Sequence, residues 1–192
     1  MGKNEESTNN LLAQSLKELL KTKAFEKITI KDITKNVGLI RPTFYNHFSD
    51  KYALLEWIFY NEVILPATLL IEDDMLKGAI DLMLKQIERD KKFYTKAVKI
   101  DGQNSFEKII FGLFEKLFLE LFIKKNIFQV RHLGPITPKM LAQYYANGIT
   151  FIIVSWLKDA SNLSAVAISE IYQIISNISI NELVRLSDSD KV

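Results

Sequence analysis

Leucines recur every three or four positions near the start of the chain, and this spacing predicts an amphipathic helix. The next stretch, ITIKDITKNVG, places Ile30, Ile33 and Val37 on one face and so predicts a short second helix. Thr29 and the acid three positions later form a capping-box pattern, which favours a helix start near Ile30. Gly38 is placed to end this helix, because glycine adopts the left-handed backbone without strain.

The same periodicity predicts helices through the rest of the chain. Pro42 suits the first turn of a third helix, which the pattern carries to about Phe48. A longer helix begins near Lys51 and continues until Pro66 breaks or kinks it. Further helices are predicted within DDMLKGAIDLMLKQIERD, KKFYTKAV, NSFEKIIFGLFEKLFLELFIKK, PKMLAQYYANGITFIIVSWLKD and SAVAISEIYQIISNISINELVRL.

Together these elements predict an all-α protein with a small head on a larger helical body. The second and third helices are short and are joined by a Gly-containing turn, which is the pattern of a helix-turn-helix. We therefore expect a three-helix helix-turn-helix head in residues 1–51 and a helical body in residues 52–192. A composition of 48% hydrophobic residues, with only 7 Gly and 4 Pro, agrees with a buried helical core.

The charge distribution and the composition narrow the range of functions that the sequence allows. Residues 1–51 hold nine Lys/Arg against six Asp/Glu, whereas the rest of the chain holds 16 against 17. With no Cys, two separated His, no Gly-rich phosphate loop and no HExxH motif, we expect no catalytic residue, no metal and no cofactor, and hence no enzyme. The polar start MGKNEESTNN contains no signal peptide, and GITFIIVSWL is about half a membrane span, so we expect a cytoplasmic protein without a membrane partner.

The stretch GLIRPTFYNHFSDK carries the candidate DNA-binding chemistry. At about 100° per residue, Phe44 and Phe48 share one side of the helix, and we expect both rings to face the core. The side chains left outside are Arg41, Pro42, Thr43, Asn46 and His47, with Tyr45 at the margin. An apolar back and a polar front are typical of a recognition helix in the major groove. Lys51 and Thr29, at the starts of two helices, are candidates for binding phosphate.

The pattern alone leaves a second interpretation open. Short amphipathic helices with polar faces are common, so a helical protein-binding adaptor without sequence-specific DNA binding is the alternative.

The segment ITIKDITKNVGLIRPTFYNHFSDKYALLEWIF resembles the DNA-binding head of the TetR family of bacterial regulators. The agreement covers about 45 residues and includes matching positions throughout. These positions are Thr29, Ile33, Gly38, Thr43, Phe44, Tyr45, His47, Phe48, Lys51 and Leu54. Two positions depart from the family pattern: Ile40 replaces the usual Ser or Thr cap of the recognition helix, and Thr34 replaces a small Ala.

The resemblance implies a transcriptional regulator that binds a palindromic operator in double-stranded DNA as a homodimer. It implies base or nearby phosphate contacts from one set of residues, namely Arg41, Pro42, Thr43 and Asn46. It implies contacts to the DNA backbone from a second set, namely Thr29, Tyr45, His47 and Lys51.

For the body, the resemblance implies control by a small-molecule effector or a protein co-regulator and pairing through the last two helices. The expected dimer residues are Ile153, Trp156, Ile168, Ile171, Ile175 and Ile178. The segment FYTKAVKIDGQNSFEKIIF is similar to a TetR subgroup that includes regulators of dihydroxyacetone kinase operons, in which a partner protein can carry the ligand signal. The effector-binding candidates are Tyr94, Gln103, Asn104, Tyr144 and Asn147, although Asn104 is also explained as part of a helix cap.

Overall fold

A computed structural model describes residues 3–127, 135–159, 162–179 and 182 of the 192-residue chain. Within these ranges the chain is helical and contains no strand, which confirms the predicted all-α fold. The head contains α1 (Lys3–Leu20), α2 (Ile30–Asn36) and α3 (Arg41–Tyr45). The connection to the body is formed by α4 (Lys51–Phe59) and α5 (Thr68–Glu72). The body continues with α6 (Leu76–Arg89), α7 (Lys91–Ala97), α8 (Phe106–Lys124), α9 (Pro138–Lys158) and α10 (Ala165–Asn177). The predicted continuation of the last helix beyond residue 179, Glu182 apart, lies outside the described residues.

The capping box predicted for α2 is present. The Thr29 hydroxyl accepts a hydrogen bond from the Asp32 amide at 3.1 Å, and the Asp32 carboxylate accepts one from the Thr29 amide at 2.9 Å. At the other end Gly38 has a φ of 69°, and the Leu39 amide donates to the Thr34 carbonyl at 2.9 Å. The helix therefore starts and ends where the local sequence predicts.

Two aromatic rings fix the orientation of α3. Phe44 is fully buried and Phe48 is 6% exposed, so the prediction that both rings face the core is confirmed. The α-helix itself ends at Tyr45, earlier than the predicted Phe48, but the Phe48 amide still donates to the Phe44 carbonyl at 2.9 Å. This extra turn keeps Phe48 on the same side as Phe44. Ser15, on α1, donates to the Ile33 carbonyl at 2.7 Å within the core and joins α1 to α2.

One continuous helical segment, Lys51–Glu72, joins the head to the body. A π-helical turn at Tyr60–Ile64 and a tight 3-10 turn at Leu65–Ala67 lie between α4 and α5, so Pro66 reshapes the helix without ending it. Its length and apolar composition alone would allow it to cross a membrane. Its buried positions include Leu54, Leu55, Ile58 and Phe59, all with no exposed surface.

Aromatic rings fill the body next to α4. Phe59 lies edge-on to Tyr94, Phe106 and Phe114, with ring centroids 5.7–6.0 Å apart. All four rings have at most 1% exposed surface. Farther from the head, α8 packs along α9 and α6 packs along α10. The buried residues of head and body form one continuous apolar core.

Candidate nucleic-acid interface

The outer side of α3 carries the polar residues that the sequence predicted for it. Arg41, Pro42, Tyr45 and Asn46 are exposed, and Thr43 and His47 are half-buried. The Arg41 guanidinium approaches the Tyr45 hydroxyl at 3.5 Å, one helical turn away. Tyr45 in turn lies edge-on to the buried Phe44 ring, with centroids 5.7 Å apart. The exposed side of α3 therefore carries the guanidinium of Arg41, the phenol of Tyr45 and the amide of Asn46.

Lys51 has a different environment from the one predicted for a phosphate ligand. Its ammonium group donates to the carbonyl oxygens of Phe25 at 2.7 Å, Ile28 at 2.9 Å and Glu26 at 3.3 Å. It also lies 4.6 Å from the centre of the Phe25 ring. Partial burial lowers the pKa of Lys51 below its ordinary value. An ammonium group has three donors, and all three are directed at the turn between α1 and α2, so this lysine stabilises that turn.

The two helix starts proposed as phosphate sites are already capped by the protein. The Asp50 carboxylate accepts hydrogen bonds from the Tyr52 and Ala53 amides, both at 2.8 Å, at the start of α4. At the start of α2, the Thr29 hydroxyl also donates to the Asp32 carboxylate at 2.9 Å. These carboxylates accept hydrogen bonds from the amide groups that a phosphate would otherwise contact. The amide groups therefore stabilise the helix starts.

Sequence interpretation missed three exposed lysines in the head. Lys27, Lys31 and Lys35 are spaced four residues apart, and none of their ammonium groups forms a hydrogen bond or ion pair with the described residues. In contrast, Lys23 donates to Asp32 at 2.7 Å. The four-residue spacing could have identified Lys31 and Lys35, because both lie on α2 and side chains that far apart share one face of a helix, whereas Lys27 lies in the turn before α2. They are free cations of the kind that phosphate contacts require.

Three of the predicted dimer residues lie inside the subunit. Ile153, Trp156 and Ile168 have 1–4% exposed surface, and the Trp156 indole donates to the Leu163 carbonyl at 2.9 Å. The expectation that these three side chains reach a partner is therefore corrected, because they form the contact between α9, α10 and the rest of the body. Ile171 and Ile175 are exposed, and Ile178 is half-buried.

A different set of apolar side chains faces outward on the last two helices. On α9 the exposed fraction is 56% for Met140, 73% for Tyr144 and 70% for Phe151. On α10 it is 62% for Ile174 and 58% for Ile175. We call these five residues the outer apolar face. Large apolar side chains that remain in water over two adjacent helices are typical of a protein contact surface.

The five effector-binding candidates occupy three separate places. Tyr94 is fully buried, whereas Gln103 and Asn104 lie in the exposed loop before α8. Tyr144 and Asn147 are exposed on α9, where the Asn147 amide donates to the Gln143 carbonyl. The structure therefore does not bring these residues together. The cap of α8 is Ser105, whose hydroxyl accepts from the Lys108 amide at 3.3 Å.

A cleft of about 1180 Å³ lies between α1 and α7, where the head meets the body. At its edge, Lys17 of α1 contacts the Glu62 carboxylate at 2.5 Å and the Asp90 carboxylate at 2.9 Å. Glu62 also accepts from the Tyr94 hydroxyl at 3.3 Å, and burial together with this carboxylate raises the pKa of Tyr94 well above its ordinary value. Lys96 of α7 donates to the last carbonyls of α1, including that of Leu20 at 3.1 Å.

A helix-turn-helix with an exposed polar third helix, attached to a larger helical body, defines a DNA-binding transcriptional regulator. Comparison with known proteins identifies the particular family. A family described as "Bacterial regulatory proteins, tetR family" matches residues 14–58, and one described as "TetR_C_8: Transcriptional regulator C-terminal region" matches residues 74–178. The chain belongs to the TetR family, whose members are transcription factors and not enzymes.

Individual relatives agree with this assignment. The activator DhaS of the dhaKLM operon from Lactococcus lactis subsp. lactis (strain IL1403) is 26% identical over 148 residues, 76% of each chain. A solved structure of the dihydroxyacetone kinase operon activator DhaS is 26% identical, with a TM-score of 0.57 over 88% of this chain and 92% of that one. The predicted similarity to this subgroup is thereby confirmed.

More distant structures share the fold. NalD, a repressor of a multidrug efflux pump in Pseudomonas aeruginosa, is 20% identical, with a TM-score of 0.58 over 91% of this chain and 95% of that one. FadR of Thermus thermophilus, solved with lauroyl-CoA, is 13% identical, with a TM-score of 0.62 over 87% and 92%.

Proposed function

We propose that the protein binds a palindromic operator as a homodimer, with α3 in the major groove, and that it acts in the cytoplasm. The observation that supports this most directly is the orientation of α3: Phe44 and Phe48 are buried, while Arg41, Tyr45 and Asn46 remain exposed. We assign base or nearby phosphate contacts to Arg41, Pro42, Thr43 and Asn46, and backbone contacts to Tyr45, His47 and the three free lysines of the head. Thr29 remains a candidate whose hydroxyl must leave Asp32 to donate to a phosphate. The DNA-binding unit ends within α4, near the expected boundary at residue 51.

The homodimer is proposed to form through the outer apolar face of α9 and α10. A symmetric dimer needs the same patch on both subunits, and two adjacent helices from each subunit would form a four-helix contact. Burying Tyr144, Phe151 and Ile174 removes apolar surface from water, which favours association. Pairing there would also fix the separation of the two heads, which must reach half-sites roughly 34–36 Å apart.

Control of DNA binding is proposed to come from the body, through a small-molecule effector or a protein co-regulator. The similarity to DhaS, an activator of the dhaKLM operon, supports regulation of a metabolic operon. The contacts of Lys17 and Lys96 support the junction of α1 with α7 as the place where a change in the body reaches the head.

A binding measurement tests the central proposal. Duplexes selected by the protein from a random-sequence library are labelled, and their affinity is measured by fluorescence anisotropy over a series of salt concentrations. We expect a two-fold symmetric sequence, an affinity that falls steeply with salt, and a large loss in Arg41→Ala and Asn46→Ala. Lys85→Ala, on the exposed surface of α6, is the matched control. Failure to select any sequence would favour the protein-binding adaptor.

A further inference from the structure

Ile40 occupies an unusual position for an apolar side chain. It is the N-cap residue of α3, and it makes no side-chain capping bond. Ser, Thr, Asp and Asn are strongly preferred at this position, because their oxygen atoms accept from the first free amides of the helix. The side chain is also 66% exposed. The residue is therefore unfavourable locally in two ways, since it caps nothing and leaves apolar surface in water.

Pro42 in the first turn favours the start of α3, but no side chain in the described part of the subunit caps it. The neighbouring Leu39 is half-buried and Phe44 is fully buried, so the core beneath α3 is already complete without Ile40. A sequence that breaks local rules in this way commonly does so at a functional site.

The surroundings of Ile40 indicate what covers it. Arg41 and Pro42, which follow it directly, are exposed on the same end of α3. In a helix-turn-helix the residues at the N-terminal end of the recognition helix lie nearest the base edges. Most groups on the base edges of the major groove are hydrogen-bond donors or acceptors, and the apolar one is the 5-methyl group of thymine. An apolar N-cap can gain from that group and has no way to pair with the others.

We infer that Ile40 is a specificity-determining residue that contacts the 5-methyl group of one thymine in each operator half-site, beside the base contacted by Arg41. This inference rests on the proposed DNA-binding function and adds to it the identity of one base. It makes thymine preferred over cytosine at that position, because cytosine lacks the methyl group.

Removing the 5-methyl group from single thymines in the DNA tests the contact. In the selected duplex each thymine is replaced in turn by deoxyuridine, which removes the 5-methyl group and leaves base pairing intact. We expect one symmetric position at which the replacement lowers affinity about 4-fold per half-site, the worth of one buried methyl group. With Ile40→Ser the same replacement should have no effect, because the contacting side chain is gone.

Ile40→Ser also separates recognition from folding. Serine supplies the missing cap, so the variant should have an equal or higher Tm than the wild type while binding the thymine duplex more weakly. Leu69→Ser is the matched control, because Leu69 is 71% exposed on α5 and should leave both measurements unchanged. The inference is overturned if replacing thymine by deoxyuridine leaves the affinity of the wild type unchanged, or if it still lowers the affinity of Ile40→Ser. In either case, specific binding of the duplex would still support the proposed function. If the wild type bound no DNA sequence specifically, the proposed function itself would be refuted.

Discussion

Replacing Lys51 by Met distinguishes a structural lysine from a DNA-binding one. Methionine keeps an unbranched apolar stem next to Phe25 but removes the three N–H donors. The carbonyls of Phe25 and Ile28 would lose partners in partly buried positions, whereas that of Glu26 is exposed and can be hydrated.

The expected loss of stability follows from these contacts. A hydrogen bond contributes about 1 kcal/mol net, and two of the three are partly buried, so the free energy of unfolding should fall by about 2 kcal/mol. For a chain of this size, that loss lowers the Tm by about 4–8 °C.

The salt dependence of DNA binding supplies the second measurement. Each phosphate contact contributes about 0.9 to the slope of log K against log salt concentration, so one contact per head contributes about 1.8 in a dimer. We expect the slope for Lys51→Met to equal that of the wild type, because its ammonium group is already paired within the head. Lys31→Met and Lys35→Met are the matched variants, since both lysines are exposed and unpaired. They should keep the Tm and reduce the slope by about 1.8 each.

The opposite pattern would refute this reasoning. A Lys51→Met protein with unchanged Tm and a slope reduced by about 1.8 would show that the ammonium group leaves its carbonyl partners to bind a phosphate.

Three other substitutions test the head and the dimer contact. Phe48→Ala should lower the free energy of unfolding in urea by about 3–5 kcal/mol, while Tyr45→Ala on the exposed side should cost far less; equal losses would contradict the orientation of α3. Ile174→Glu should sediment as a monomer, whereas Leu69→Glu should remain dimeric; a dimer in both would exclude the outer apolar face as the contact. Hydrogen bonds from Lys23 and from Thr29 hold the pKa of Asp32 below its ordinary value of about 4. The stability that this carboxylate contributes is therefore present above about pH 4 and is lost as the pH falls toward its lower folded-state pKa. The Tm difference between the wild type and Asp32→Asn should shrink over that acidic range, and a difference independent of pH would contradict the contribution of the charge.

Local sequence patterns were sufficient to predict the orientation of α3 and the ends of α2 in the head. The inward direction of Phe44 and Phe48 follows from helical periodicity, and the ends of α2 follow from Thr29 and Gly38. Each of these features depends on residues within one helical turn, which is the range over which sequence spacing determines geometry.

The role of Lys51 could not be predicted in the same way. Its partners lie 23–26 residues earlier in the chain, and they become acceptors only when the turn after α1 folds back toward the start of α4. A lysine after a helix cap has the same sequence pattern in either role.

The burial of three of the six predicted dimer residues could not be foreseen for a related reason. The α9 sequence is apolar on nearly every side, so its pattern does not show which stripe faces the core. The structure resolves this by burying Ile149, Ile153 and Trp156 and exposing Tyr144 and Phe151. That choice depends on where α8 packs, which is a tertiary contact and not a property of the helix alone.

The contacts around Glu62 link the movement of α7 in the body to that of α1 in the head. Glu62 lies in the π-helical turn after α4 and accepts from Lys17 of α1 and from Tyr94 of α7. Lys96, also on α7, donates to the end of α1 through backbone carbonyls. Because α1 and α2 share a buried hydrogen bond, a displacement of α7 must either break these contacts or move the helix-turn-helix with it. The position of α7 is therefore coupled to that of the helix-turn-helix through the contacts that Lys17 and Lys96 make between α1 and the body.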